Sequence, residues 1–175
     1  MKRIAKFEKV SYEQFLDDWS KTFNIENLDV PKRMQIKAIY ESIQLPKRST
    51  CGSAGYDFFS PLAFTLYPNE SIMIPTGIRV KIEEGWVLKI YPRSGLGTKF
   101  RTQLDNTVGI IDSDYYCAKN EGHIFIKLTN DSKEGKMLQT NLLDKIVQGV
   151  FCEYGVTVDD ETENYRVGGF GSTGN

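Results

Sequence analysis

The stretch PNESIMIPTGIRVKIEEGWVLKIYPRSGLG, Pro68 to Gly97, decides the fold class. It holds three short apolar runs, Ile72 to Pro75, Ile78 to Ile82 and Trp86 to Tyr91, punctuated by the turn signals PNE and EEG. Two further runs, Ile124 to Leu128 and Ile146 to Phe151, follow with the turn signals NEG and KEG. Runs this short, this close together and bounded by Gly, Pro, Asn and Glu read as β-strands, and their number predicts an all-β sandwich or barrel.

Working outward, the alternation of Met34, Ile36, Ala38 and Tyr40 with polar or small residues extends the period-two pattern back to residue 34. Upstream, SYEQFLDDWSKTF carries Tyr12, Phe15, Leu16, Trp19 and Phe23 at helical spacing. Ser11 followed by Gln14 fits a capping box at the start of that helix. Such a helix either binds a partner or packs on the body of the domain, and packing is the commoner use. Downstream, the acidic stretch Asp159 to Glu163 reads as a solvated linker that sets off the tail RVGGFGSTGN, Arg166 to Asn175. Two readings of that tail stay open: a frayed terminus, or glycines beside Ser and Thr that let backbone wrap a phosphate.

At 175 residues the chain is sized for one domain with a real core. Its 22 basic and 23 acidic residues leave a net charge of −1, so there is no basic surplus to hold a nucleic acid. No apolar run approaches the length of a membrane span, and MKRIAKFEKV has no apolar core of signal-peptide length. Cys51, Cys117 and Cys152 are widely spaced and His123 is the single histidine, too few clustered ligands for a zinc site. These features predict a cytoplasmic protein with free thiols. Neither a P-loop nor a nucleophile elbow occurs, and His123, next to Gly122 in an expected loop, reads as structural or solvated.

Four segments carry candidate chemistry. In AGYDFFS, Asp57 fits either a carboxylate near a metal or a turn aspartate. In PRSGLG, Arg93 offers a rigid donor fork, Ser94 a hydroxyl and Gly95 an approachable backbone, which tilts the reading toward an anion site. In NTVGIIDSDYY, Asp112 follows the apolar pair Ile110 and Ile111, where a partly dry carboxylate can polarise a water as a general base. Asp114 lies two residues on and would share a strand face with it, so a paired-carboxylate metal site or a solvated hairpin rim both remain open. Gln148 interrupts the strand IVQGVF and either meets a ligand or points outward.

Taken in order, AGYD, PRSGLG, N-x-x-G-I-I-D-S-D-Y, D-K-I-V-Q and GGFGSTG resemble the five-motif pattern of the trimeric dUTPase family over residues 52–174. The resemblance implies a distorted jelly-roll-like β-barrel, here with an additional N-terminal helix. It divides the chain into an N-terminal helical extension (1–33), a barrel (34–158), and a linker with a mobile glycine-rich arm (159–175). It implies hydrolysis of dUTP to dUMP and pyrophosphate with Mg²⁺, in a homotrimer whose active sites lie between subunits.

Residue by residue, the resemblance implies that Asp57 holds Mg²⁺ through water and that Arg93, Ser94, Gly95 and Gln148 contact phosphates. Asn106 and the backbone of Gly109, Ile110 and Ile111 read uracil. Asp112 positions the attacking water. Tyr115 packs under deoxyribose and leaves no room for a 2′-hydroxyl. From the tail, Arg166 reaches the γ-phosphate, Phe170 stacks on uracil, and Gly171, Ser172 and Thr173 donate hydrogen bonds to the outer phosphates. Against the family pattern, Tyr165 stands where Arg is usual, Lys145 replaces an Arg, and the hairpin CAKNEGH, Cys117 to His123, is longer. Two alternatives stand beside this reading: a related dCTP deaminase, which needs a catalytic Glu near the base-reading hairpin, and a dUTPase-fold regulatory protein using the N-terminal helix and the long hairpin.

Overall fold

The computed structural model describes residues 2–164 together with Arg166 and Gly168. In chain order the elements are β1 (Ala5–Lys9), α1 (Tyr12–Thr22), α2 (Val30–Ser42), β2 (Lys47–Arg48), β3 (Tyr56–Phe59), β4 (Phe64–Leu66), β5 (Ser71–Pro75) and β6 (Ile78–Ile82). They continue with β7 (Trp86–Pro92), α3 (Ser94–Phe100), β8 (Thr102–Leu104), β9 (Gly109–Ile111), a 3-10 turn (Ser113–Cys117), β10 (Phe125–Asn130), β11 (Leu138–Thr140) and β12 (Lys145–Glu153).

Four antiparallel sheets result: β1-β6, β5-β10-β8, β11-β4 and the five-stranded β2-β3-β12-β7-β9. Among the regular elements of the described residues strand outweighs helix, and each of the five apolar runs forms a strand, but three helices stand beside the expected all-β architecture. Among the described residues no single sheet closes on itself into a barrel. β6 shows why its sequence folds this way: Ile78, Val80 and Ile82 face inward while Arg79 and Lys81 face outward. The core gathers Phe58, Ile74, Val80, Leu88, Ile90, Ile126, Leu128 and Ile146 from strands of three sheets. Burying each such side chain contributes about 1.5–3 kcal/mol.

The period-two reading of residues 34–40 is corrected, because these residues lie in α2. Asp29 caps the helix, accepting from Lys32 N–H at 3.0 Å, and Pro31 occupies the first turn, where its missing N–H costs nothing. The apolar positions that reach the core are Ile36, Ile39, Tyr40 and Ile43, at helical spacing, whereas Met34 is 67% exposed. The alternation is a coincidence: Gln35 and Lys37 fall between apolar residues, but the buried face runs Ile36, Ile39, Tyr40 and Ile43 and leaves Met34 outside.

The helix expected after Ser11 forms as α1, and Phe15, Leu16 and Trp19 are buried. Only half of the capping box forms. Ser11 Oγ accepts from Gln14 N–H, but the carboxylate that accepts from Ser11 N–H at 2.7 Å belongs to Glu121 in the distant hairpin. The N-terminal segment is thus two helices and an edge strand, fastened to the sheets by β1 on β6.

Candidate active site

The turn between β8 and β9, strand β9 and the 3-10 turn after it form one wall of a cavity of about 690 Å³. Asn106, Gly109, Ile110, Ile111, Asp112 and Tyr115 all line it, and Arg166 closes one side. Ile90, Leu104 and Ile126 supply an apolar floor. Among the described residues β9 is an edge strand, paired only with β7. Every second residue of an edge strand turns its N–H and C=O away from its neighbour, so β9, whose three residues line the cavity, keeps some backbone donors and acceptors unpaired by β7. Gly109 lies close over β7: a Cβ there would be 3.2 Å from Ile90 Cβ.

Asp112 begins the 3-10 turn in extended backbone and makes no capping bond with its side chain. Its carboxylate is free to face the cavity, where Arg166 Nη2 donates to it at 2.6 Å. The same guanidinium donates from Nε to Asp114 at 2.8 Å and lies 5.6 Å from the Tyr115 ring centre. Asp114 therefore pairs with a cation on the rim.

Tyr115 is buried, and its hydroxyl donates to the His123 carbonyl at 2.8 Å while accepting from Asn120 Nδ2 at 2.9 Å. Burial pushes the Tyr115 phenol up from its ordinary value, so the hydroxyl keeps its proton for that bond. Its ring is fixed from behind and presents to the cavity.

The remaining predicted residues form a second group on the other side of the five-stranded sheet's centre. Asp57 on β3 pairs across to Gln148 on β12, which pairs to Tyr91 on β7. Asp57 is only 5% exposed, yet three groups converge on it: Lys145 Nζ at 2.8 Å, Arg93 Nε at 3.1 Å and Ser49 Oγ at 2.6 Å. Burial pushes its carboxyl up, but Lys145, Ser49 and Arg93 together outweigh burial and hold it below the usual aspartate value. Lys145 also donates to Ser49 at 2.7 Å, so the group is a closed network.

Gln148 does not simply point outward. Its Nε2 donates to the Pro92 carbonyl at 3.4 Å, and its Oε1 lies over Gly55, where a Cβ would come within 2.7 Å. The PRSGLG segment is the start of α3 rather than a bare turn. Arg93 is its N-cap without a side-chain cap bond, so exposed Ser94 and Gly95 stand in the first turn, where backbone N–H groups have no intrahelical acceptor. Arg93 and Lys145 both line a cleft of about 440 Å³.

Asp57 and Ile111 are separated by three strand spacings, about 14 Å across the sheet. Ile111 also lies opposite Leu88, three residues along β7 from Tyr91. The structure thus brings the predicted residues together as two groups and does not bring the two groups to one point. Ser49 was missed by sequence reasoning, because a serine in a KRST loop carries no spacing signal toward Asp57. Phe170, Gly171, Ser172 and Thr173 lie outside the described residues.

Set against known proteins, the dUTPase family model matches residues 41–174. The chain belongs to the dUTPase family. Among dUTPase relatives, deoxyuridine 5′-triphosphate nucleotidohydrolase of Lactococcus lactis subsp. lactis is 42% identical over 135 residues, covering 75% of this chain and 89% of that protein. The enzyme of the same name from Finegoldia magna is 42% identical over 150 residues, covering 81% of this chain and 99% of that protein. The crystal structure of dUTPase from Streptococcus mutans superposes with a TM-score of 0.58 at 34% identity, covering 67% of this chain and 90% of that one. The dUTPase match starts inside α2, so β1 and α1 lie outside it.

Whether the residues suit a metal is answered by the donors around Asp57. Among the described residues no group of three His, Cys, Asp or Glu side chains is placed to hold an ion. Asp57 offers one carboxylate already neutralised by Lys145 and Arg93. That donor set does not fit a metal held by the protein alone. One buried carboxylate would suit a Mg²⁺ that brought most of its ligands with it, and Asp57 is the residue that would hold it.

No helix among the described residues is long and apolar enough to cross a membrane. His123, expected to be structural or solvated, is fully buried and structural.

Proposed function

We propose that this chain hydrolyses dUTP to dUMP and pyrophosphate. The observation that carries the reading is the cavity in which Asp112, the Tyr115 ring and the exposed edge of β9 meet. Uracil presents an acceptor at O4 beside a donor at N3, a pattern that cytosine reverses, and fixed backbone groups of Gly109 to Ile111 with Asn106 discriminate on that basis. The Tyr115 ring packs under the sugar and excludes a 2′-hydroxyl. Asp112 accepts a proton from the water that attacks the α-phosphorus in line. The bond from water oxygen to that phosphorus forms as the bond to the bridging oxygen breaks, and pyrophosphate leaves with the electron pair.

Arg93, Ser94, Gly95 and Gln148 hold the phosphates, by a bidentate fork, the open first turn of α3 and a side-chain amide. Bound Mg²⁺ would neutralise phosphate charge and the leaving pyrophosphate, with Asp57 holding its waters.

The separation of the two groups across the sheet favours a site assembled from more than one copy. One chain brings Asp112 and Tyr115, a second brings Arg93, Gln148 and Asp57, and the arm with Arg166, Phe170, Gly171, Ser172 and Thr173 closes over the nucleotide from a third. This is the homotrimer that the jelly-roll-like barrel of the family implies. Closure of the arm expels water and fixes the triphosphate for attack.

Hydrolysis in ¹⁸O-labelled water tests the chemistry. The account requires the label in dUMP. Label in pyrophosphate would mean attack at the β-phosphorus and would remove Asp112 from the role given to it.

A further inference from the structure

The N-terminal segment that the family match leaves out is linked to Tyr115 through His123. Gly77 N–H donates to His123 Nε2 at 2.7 Å. That nitrogen is therefore the acceptor of the imidazole, and the ring proton resides on Nδ1. Nδ1 is 2.6 Å from Asp18 Oδ2 on α1, so it donates there. Gln14 Nε2 donates to the same Asp18 oxygen at 2.9 Å and aims it. The ring is fully buried and is held between α1 and the β5–β6 turn. The backbone carbonyl of the same residue accepts the Tyr115 hydroxyl.

A second clamp acts on the same hairpin: both Ser11 N–H and Ser11 Oγ donate to the Glu121 carboxylate at 2.7 Å. The long hairpin and the N-terminal segment are therefore one device.

We propose that Asp18 and His123 are positioning residues that fix the Tyr115 ring and thereby set the enzyme's preference for deoxyribose over ribose. The inference rests on the reading of Tyr115 as the floor of the sugar pocket. Only one imidazole tautomer satisfies both neighbours: a proton on Nε2 would face the Gly77 N–H, and Nδ1 would face the carboxylate as a bare lone pair. Asp18 selects the tautomer that Gly77 needs. Loss of the acceptor at position 18 leaves Nδ1–H buried without a partner, and the ring, the carbonyl and Tyr115 shift together. A displacement near 1 Å at a reacting site can change rates by about a hundred-fold.

The test compares kcat/KM for dUTP and UTP, with Mg²⁺, in the wild type, Asp18→Ala and Asp18→Asn. Asn keeps an acceptor oxygen and Ala does not. The dUTP-to-UTP ratio is expected to fall by about ten-fold or more in Asp18→Ala and to stay near wild type in Asp18→Asn. An unchanged ratio in a folded Asp18→Ala, or an equal loss in both variants, overturns the inference while leaving dUTP hydrolysis standing. A wild type that cleaves UTP as fast as dUTP overturns the Tyr115 reading itself, and the inference with it.

A measurement that needs no variant stands beside this. His123 is the one histidine of the chain, so the imidazole ¹⁵N signals of the intact protein belong to it alone. They are expected to show a protonated Nδ1 and a bare Nε2. The opposite tautomer overturns the inference.

Discussion

Arg166 Nη2 donates to the Asp112 carboxylate at 2.6 Å, so the cation of the tail and the proposed general base are partners in the unliganded chain. The Asp112 side chain is 47% exposed there. An ion pair with that much water around one member is worth about 1 kcal/mol or less. On the proposed mechanism, a triphosphate competing for the same guanidinium would meet little resistance, and Asp112 would be released to hold water as Arg166 moved to phosphate.

Asp112→Asn keeps the shape of the carboxylate and removes its basicity. It is expected to bind dUTP near normally and to lose about 10²–10⁴-fold in kcat. Calorimetric titration with a non-hydrolysable dUTP analogue, beside steady-state turnover, separates the two effects. Turnover near wild type would take Asp112 out of the base role.

On the proposed reading, Arg166→Ala would remove a charged donor from the bound triphosphate, and it removes a weak ion pair from the free chain. KM for dUTP should rise by about ten-fold or more, since a hydrogen bond to a charged group contributes about 1.5–3 kcal/mol. Thermal stability should change little. A lower KM would mean that the Asp112 pair restrains the free enzyme more than Arg166 helps the bound one.

Asp57 gives the chain a defined acid sensitivity. Its carboxyl titrates below the usual aspartate value in the folded state, so the native protein binds that proton more weakly than the unfolded chain. The stabilisation is present in full above the unfolded value, near pH 4, and is lost as pH falls through the lower native value. Melting temperatures of wild type should therefore fall more steeply below about pH 4 than those of Asp57→Asn. Parallel curves would show that Lys145, Ser49 and Arg93 do not depress this carboxyl.

Two glycines separate function from stability. A Cβ on Gly55 meets the mobile end of Gln148, whereas a Cβ on Gly149 lies 2.8 Å from Leu88 Cδ1 and 3.2 Å from Phe58 Cε2 in the core. Gly55→Ala should raise KM for dUTP by displacing Gln148, with a smaller stability cost than Gly149→Ala. Gly149→Ala overpacks the core and should cost about 1–3 kcal/mol in chemical denaturation. Equal stability losses in both would mean that Gln148 cannot yield.

What was legible in the sequence follows the range of the forces involved. The runs that became β5, β6, β7, β10 and β12 bury side chains at fixed local spacing, so their pattern names them. The group around the cavity was legible because Asn106 to Tyr115 are contiguous. α2 is ambiguous in sequence because Gln35 and Lys37 between apolar residues mimic alternation; the signal that resolves it is the start at Asp29 and Pro31. The pairs Asp18 with His123 and Ser11 with Glu121 span more than a hundred residues. No local spacing announces such a partnership; only the packing of α1 on the β5–β6 turn brings those atoms together. Lys145 stands in the sequence where Arg is common, but its contact with Asp57 depends on strand register, which a single sequence does not display.

The central claim is tested most directly by pyrophosphate release from dUTP with Mg²⁺, measured beside dTTP, UTP and dCTP, with ammonia followed in the dCTP reaction. The account predicts rapid release from dUTP, little from the other three and no ammonia. Ammonia from dCTP would place the chemistry at the base and make the chain a deaminase. Tight dUTP binding with no release from any nucleotide would contradict the hydrolase and leave a nucleotide-binding protein whose long hairpin and N-terminal helices serve recognition.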